Sequence, residues 1–209
     1  MDLQPDRLRD RLLRPLPGLS AHAEVMSYVR QSANEVRERR NDYREGAVLV
    51  LLYKHVEVWH TSLIVRPTYD GVHSGQVAFP GGKRDTGDPD LLFTALREAN
   101  EEVGVNPQAV TPLGQLSEIY IPPSNFLVRP FVGMVSQRPD FRADPREVAS
   151  ILEVPLSHFL AIDAVKKETV RISTGLQMKV DGFEVDGHLV WGATAMMLAE
   201  LRAVLSELL

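Results

Sequence analysis

Cysteine is missing from all 209 residues, which removes disulfides, thiolate nucleophiles and cysteine-based zinc sites together. Long apolar runs are missing too. No stretch reaches the roughly 20 residues of a membrane span, and the opening MDLQPDRLRDRLLR has no signal-peptide apolar region. The expectation is a cytoplasmic protein with no membrane partner. An excess of positive charge is also absent, because the formal net charge is -5. Nucleic acid is therefore not an expected partner, and an anionic substrate would need local positive charge or a metal ion. The six histidines are scattered with no pair at metal-ligand spacing. No Gly-x-Ser-x-Gly elbow occurs, and PGGK at residues 80–83 lacks the longer spacing of a P-loop. Histidine-zinc, serine-hydrolase and P-loop readings are set aside on these grounds.

What is present is a globular pattern in two parts. Residues 1–44 read as a helical extension, and residues 45–209 as the main domain. In the extension, Leu8, Leu12 and Leu13 mark a short helix ended near Pro15 and Pro17, while Val25, Val29, Ala33 and Val36 mark a longer one. Arg37, Arg39, Arg40 and Arg44 are interleaved with Glu38, Asp42 and Glu45, the pattern of a solvated helix end or subunit contact. From residue 46 the texture changes to strands. Residues 47–53 form a continuous apolar run suited to burial on both faces, and 57–65 a more alternating strand, with Lys54 and His55 as the hairpin turn. Further strands are expected at 110–121, 126–135, 168–172, 176–180 and 182–185. A final helix carries Met197, Leu198, Leu201, Val204, Leu205 and Leu208 as its apolar stripe.

The chemistry concentrates in residues 81–105, GGKRDTGDPDLLFTALREANEEVGV. Leu92, Ala95, Leu96, Ala99 and Val103 repeat as the apolar stripe of a helix. Asp88 is the expected N-cap, Pro89 the first helical residue and Gly104 the left-handed end. Glu98, Glu101 and Glu102 stand at i, i+3 and i+4, on an arc away from that stripe. A Glu-Glu pair on a helix is ordinarily a solvated surface. Three such carboxylates without nearby lysines repel one another and suit a bound hard cation, Mg²⁺ first, then Mn²⁺ or Ca²⁺. The Pro80-Gly81-Gly82 turn could add a backbone carbonyl to them.

The segment as a whole resembles the Nudix box. Arg97, Glu98, Ala99, Glu101, Glu102, Gly104 and Val105 match its second half. The first half departs from it, since Asp88 fills the acidic position and the gap from Gly82 to Arg97 is one residue longer. GGK-x-D-x-x-D followed by TALRE resembles the variant box of the coenzyme A pyrophosphatase branch. Upstream, Arg66, Gly75, Phe79, Pro80, Gly81 and Gly82 match that branch's signature. Ile64, Pro67 and Gly71 stand where it carries Thr, Ser or Ala, and a second Arg.

The resemblance implies a Nudix α/β/α sandwich with a mixed central sheet. It implies a Mg²⁺-dependent pyrophosphohydrolase (Mn²⁺ as substitute) splitting coenzyme A or acyl-coenzyme A into 3′,5′-ADP and (acyl-)phosphopantetheine, working as a homodimer. Glu98, Glu101, Glu102 and the Gly82 carbonyl are the expected metal ligands, and Arg97 the residue that orients the carboxylates. Glu147, in the stretch REVASILEVPL, is the expected further ligand or general base, with Glu153 as its alternate. Arg66, His73, Phe79, Gly81, Gly82, Lys83 and Arg84 are the expected substrate contacts. Two other readings remain open: a hydrolase of ADP-ribose, a dinucleotide or a related nucleotide, and a nucleotide-sensing module without turnover. The carboxylates that the box keeps argue against the sensor.

Overall fold

A computed structural model of the protein describes residues 3–28, 30–68, 74–171 and 175–209. Three short helices come first: α1 (Pro5–Leu12), α2 (Leu19–His22) and α3 (Ala33–Arg39). α3 is nucleated by a capping box in which the Ser32 hydroxyl accepts from the Glu35 amide and the Glu35 carboxylate accepts from the Ser32 amide. The expected long helix through Val25 and Val36 is not formed: Val25 lies in a turn after α2, and of its described markers only Ala33 and Val36 are helical, in α3. Val29, one of its markers, lies outside the described residues.

Strand β1 (Arg44–His55) is the centre of the main sheet. Its alternate residues feed two cores, Val50 and Leu52 on one face and Ala47, Leu49, Leu51 and Tyr53 on the other. Burial on both faces is what its continuous apolar run predicts. β2 (Val58–Val65) returns antiparallel to it, with His55 opposite Val58. The turn is thus Val56-Glu57, both at positive φ (46° and 60°), rather than Lys54-His55. β1 and β2 then part. β3 (Val77–Ala78) pairs with the end of β2, and β4 (Gly81–Lys83) pairs with Gly46–Val48 at the start of β1. The Pro80-Gly81-Gly82 stretch is consequently a strand filling the split rather than a free turn. Gly81 is obligatory there, because at φ 155° a Cβ would stand 2.3 Å from the Ala47 carbonyl oxygen.

Helix α4 (Leu91–Val103) follows and covers the Leu49 face. Its cap is Asp90, whose carboxylate accepts from the Phe93 amide at 2.8 Å; Asp88 is used elsewhere. Gly104 closes it at φ 74°, as its position predicts. β5 (Thr111–Gln115) and β6 (Ile119–Ile121) are separate pieces along one edge of β7 (Phe126–Met134), which runs parallel to β1 over nine residue pairs, Arg44–Phe126 to Leu52–Met134. β8 (Ser150–Pro155) takes the outer edge of β2. This strand was hidden in the sequence by Glu153 at its centre, which pairs with Arg138 and accepts from the Tyr53 hydroxyl.

After α5 (Leu156–Leu160), β9 (Val165–Arg171), β10 (Gln177–Val185) and β11 (His188–Trp191) form a second, antiparallel sheet. β10 runs unbroken through Gly182, where a Cβ would lie 2.2 Å from the Val190 carbonyl oxygen. One strand therefore replaces the two expected pieces. α6 (Gly192–Ser206) then packs with α1 on the Val50 face. Helices on both faces of a mixed sheet make the α/β/α sandwich.

Candidate active site

Three carboxylates meet where β4 crosses under α4. Oxygens of Glu98, Glu102 and Glu147 all lie within 4.8 Å of one another. Glu102 is not on the exposed arc of its helix. It is only 1% exposed, turned into the sheet, and its Oε2 accepts the Gly81 amide at 2.8 Å. The register of α4 explains this, because Leu91, Thr94, Ala95, Ala99 and Val103 form the buried face and Glu102 falls at its edge. Burial pushes the Glu102 carboxyl up to about 7, while the Gly81 amide and the Arg66 charge pull the other way. Burial also raises Glu98, opposed by Arg97. Gly82 lies under Glu98 so closely that a Cβ would be 2.5 Å from its carboxyl carbon.

Glu101 is not brought to this group. Its exposed carboxylate pairs with Arg97 at 3.0 Å. Arg97 is the fastener of the region: Nε and Nη2 donate to the two Asp88 oxygens at 3.1 and 3.0 Å, and Nη2 also reaches the Lys83 carbonyl at 3.2 Å and Glu98 at 3.0 Å. Asp88, further held by the Thr94 hydroxyl (2.9 Å) and the Asp85 amide (3.0 Å), is kept far below the usual carboxylate range, chiefly by Arg97.

Three acids whose oxygens crowd into a partly buried site, with Arg97 bonded to only one of them, fit an oxygen-liganded divalent cation. Glu98, Glu102 and Glu147 would hold it. When bound, such an ion supplies positive charge to a diphosphate.

The group opens on a cavity of about 1190 Å³. Arg66, Phe79, Gly81, Gly82 and Lys83 all line it, and Arg66 Nη2 donates to the Gly81 carbonyl at 3.4 Å. Arg84 does not line it; its guanidinium pairs with Glu45 at 3.3 Å and donates to the carbonyls of Asp88 and Pro89. Glu153 is likewise occupied on β8. His73 and Gly71 lie outside the described residues. The far wall brings residues that the sequence did not single out: Tyr28 and Arg30 from the extension, Arg171 and Met178 from β9 and β10, and Trp191. The only signal for Arg30 was an arginine two residues after a tyrosine in a stretch that spacing assigned to a helix.

Residues 43–172 match the family model of the NUDIX domain. A relative from Photorhabdus laumondii, called uncharacterized Nudix hydrolase NudL, is 41% identical over 129 residues, 62% of this chain and 68% of its own length. The protein of that name from Yersinia enterocolitica is 39% identical over 129 residues, 62% of this chain and 65% of its own. The match thus spans about two thirds of these relatives. Among solved structures, the Nudix hydrolase RenU from M. smegmatis superposes with a TM-score of 0.56 at 17% identity, covering 86% of this chain and 94% of that one. A C. elegans Ap4A hydrolase superposes with a TM-score of 0.52 at 15% identity, covering 78% and 98%. At such identities the structural likeness speaks for the fold alone.

Proposed function

The chain belongs to the Nudix hydrolase family, and on that premise we propose that it splits the diphosphate of coenzyme A or an acyl-coenzyme A into 3′,5′-ADP and (acyl-)phosphopantetheine, using Mg²⁺. The family acts on phosphoanhydride bonds of nucleoside diphosphate derivatives; the choice of coenzyme A is the finer step. The observation that carries it is the cavity. A volume of about 1190 Å³ exceeds what a small ligand fills, and it joins the carboxylate group to a long, partly apolar wall suited to a substrate with an arm beyond its diphosphate. The register of Arg66, Gly75 and Phe79-Pro80-Gly81-Gly82 with the coenzyme A branch supports the same choice.

In this reading Glu98, Glu102 and Glu147 would hold the cation, with the Gly82 carbonyl as a further ligand, and Arg97 fixes Glu98. Arg66 and Lys83 face the phosphates. Water attacks one phosphorus and the bridging P–O bond breaks with its electron pair leaving on the other phosphate; Glu147, where it is not a ligand of the ion, takes the water's proton. Phe79 and Gly81 shape the floor of the site. Residues 1–44 are proposed to act as an extension of the hydrolase domain 45–209, since Leu8, Leu12 and Val25 share one apolar cluster with Met197 and Leu201. A homodimer in the cytoplasm completes the proposal. No helix among the described residues is long and apolar enough to cross a membrane.

The test is product identification by mass spectrometry after incubation with Mg²⁺ and, in parallel, coenzyme A, ADP-ribose and diadenosine polyphosphates. Formation of 3′,5′-ADP from coenzyme A is expected. Turnover of another member alone replaces the substrate, and turnover of none, with tight binding, favours the sensing module.

A further inference from the structure

One cation of the cavity forms no ion pair among the described residues. Nε and Nη1 of Arg30 are sealed from solvent, yet neither finds a hydrogen-bond partner among the described residues. Its guanidinium carbon lies 4.7 Å from the centroid of the Tyr28 ring, a cation–π contact that does not use the Nε and Nη1 donors. Burial, the largest influence, lowers its pKa, with Tyr28 opposing. An arginine does not lose its proton in a protein. A buried charge with unused donors is unfavourable by itself, and an arriving anion relieves it.

The position matters as much as the charge. Arg66 and Lys83 already stand beside the carboxylates, where a diphosphate belongs. Arg30 stands at another part of the wall, its Nη2 3.7 Å from where a Cβ on Gly192 would be. That is the first turn of α6, 15 residues long, whose N-terminus carries no side-chain cap. Gly192, Ala193 and Thr194 line the cavity there, and the Thr194 hydroxyl is held by the Val77 carbonyl at 3.0 Å. The positive end of this helix, which no side chain caps, lies beside the guanidinium.

We propose that Arg30, backed by the first turn of α6, binds a phosphate monoester that the substrate carries apart from its diphosphate. The proposal rests on the coenzyme A reading, since the ribose 3′-phosphate of coenzyme A is such a group. Arginine's planar fork suits a phosphate better than a lone ammonium would. The N-terminal segment then supplies a phosphate-binding arginine to a chain that has Gly71 where the branch signature carries one.

The experiment is calorimetric binding of 3′,5′-ADP and 5′-AMP, which differ by that phosphate and need no turnover. The parent is expected to prefer 3′,5′-ADP by about 30-fold, and Arg30→Gln to reduce the preference below about threefold. Arg30→Lys keeps the charge without the fork and is expected to retain a preference of about fivefold; it serves equally if the Gln variant fails to fold. No preference in the parent, or one that survives in both variants, overturns the subsite. Coenzyme A hydrolysis is measured on the same preparations. A parent that leaves coenzyme A intact but shows an Arg30-dependent preference refutes the substrate reading and not the subsite.

Discussion

Arg97 pairs with four acids, Asp85, Asp88, Glu98 and Glu101, and only Glu98 is in the carboxylate group. Its bidentate contact with Asp88 ties the turn before α4 to the middle of that helix. Asp88 is nearly buried, so removing its charge leaves Arg97 short of a partner. Asp88→Asn is expected to cost about 3 kcal/mol in urea unfolding at neutral pH. The folded protein binds the Asp88 proton less tightly than the unfolded chain does. This stabilisation is therefore complete above about pH 4 and is lost as the pH falls below that. The difference between parent and variant should shrink from about pH 4 to about pH 2; a constant difference would mean that the pair does not carry the effect. Gly82 makes a second prediction. A methyl group there collides with the Glu98 carboxyl, so Gly82→Ala should lower kcat by about 100-fold while circular dichroism stays that of the parent.

At the scale of elements, the box helix was legible because apolar spacing and Gly104 announce it, and β1 because its apolar run is continuous. Two details were not. Spacing put Glu102 on the exposed arc, but the face of α4 that meets the sheet is set by where β4 crosses, a long-range contact that no local pattern encodes. Glu147 was picked out by family resemblance, and only the fold brings it from the chain before β8 to within 4.8 Å of Glu98 and Glu102. The extension shows the same limit. Glu200 on α6 is fully buried, where it accepts from the Gly18 amide (2.7 Å), the Ser117 amide (2.9 Å) and hydroxyl (2.6 Å), and lies 3.3 Å from His22. Nothing in the sequence marks it. Burial alone would raise its pKa, but the His22 and Ser117 hydrogen bonds outweigh that and hold it low. Glu200→Ala should cost about 3–5 kcal/mol and expose residues 18–22 to limited proteolysis; an unchanged cleavage pattern would separate Glu200 from the docking of α2.

For the whole molecule, the arrangement couples charge to stability. Three carboxylates converge in the folded state and are dispersed in the unfolded chain, so a cation that they bind favours folding. Mg²⁺ at about 100 times its dissociation constant should add about 2.7 kcal/mol, raising the melting temperature by about 5–10 °C. A chelator should reverse the rise without unfolding the protein, because the sandwich has its own two cores. Melting that ignores Mg²⁺ would remove the ion from the folded state.

The most direct measurement is a Mn²⁺ titration followed by electron paramagnetic resonance, on the parent and on Glu98→Gln, Glu102→Gln, Glu147→Gln and Glu101→Gln. The first three variants should each weaken binding at least about tenfold, and Glu101→Gln should bind like the parent because its carboxylate belongs to Arg97. Weakening by Glu101→Gln equal to that by Glu102→Gln, or no weakening by any of the other three, would contradict the placement of the metal site.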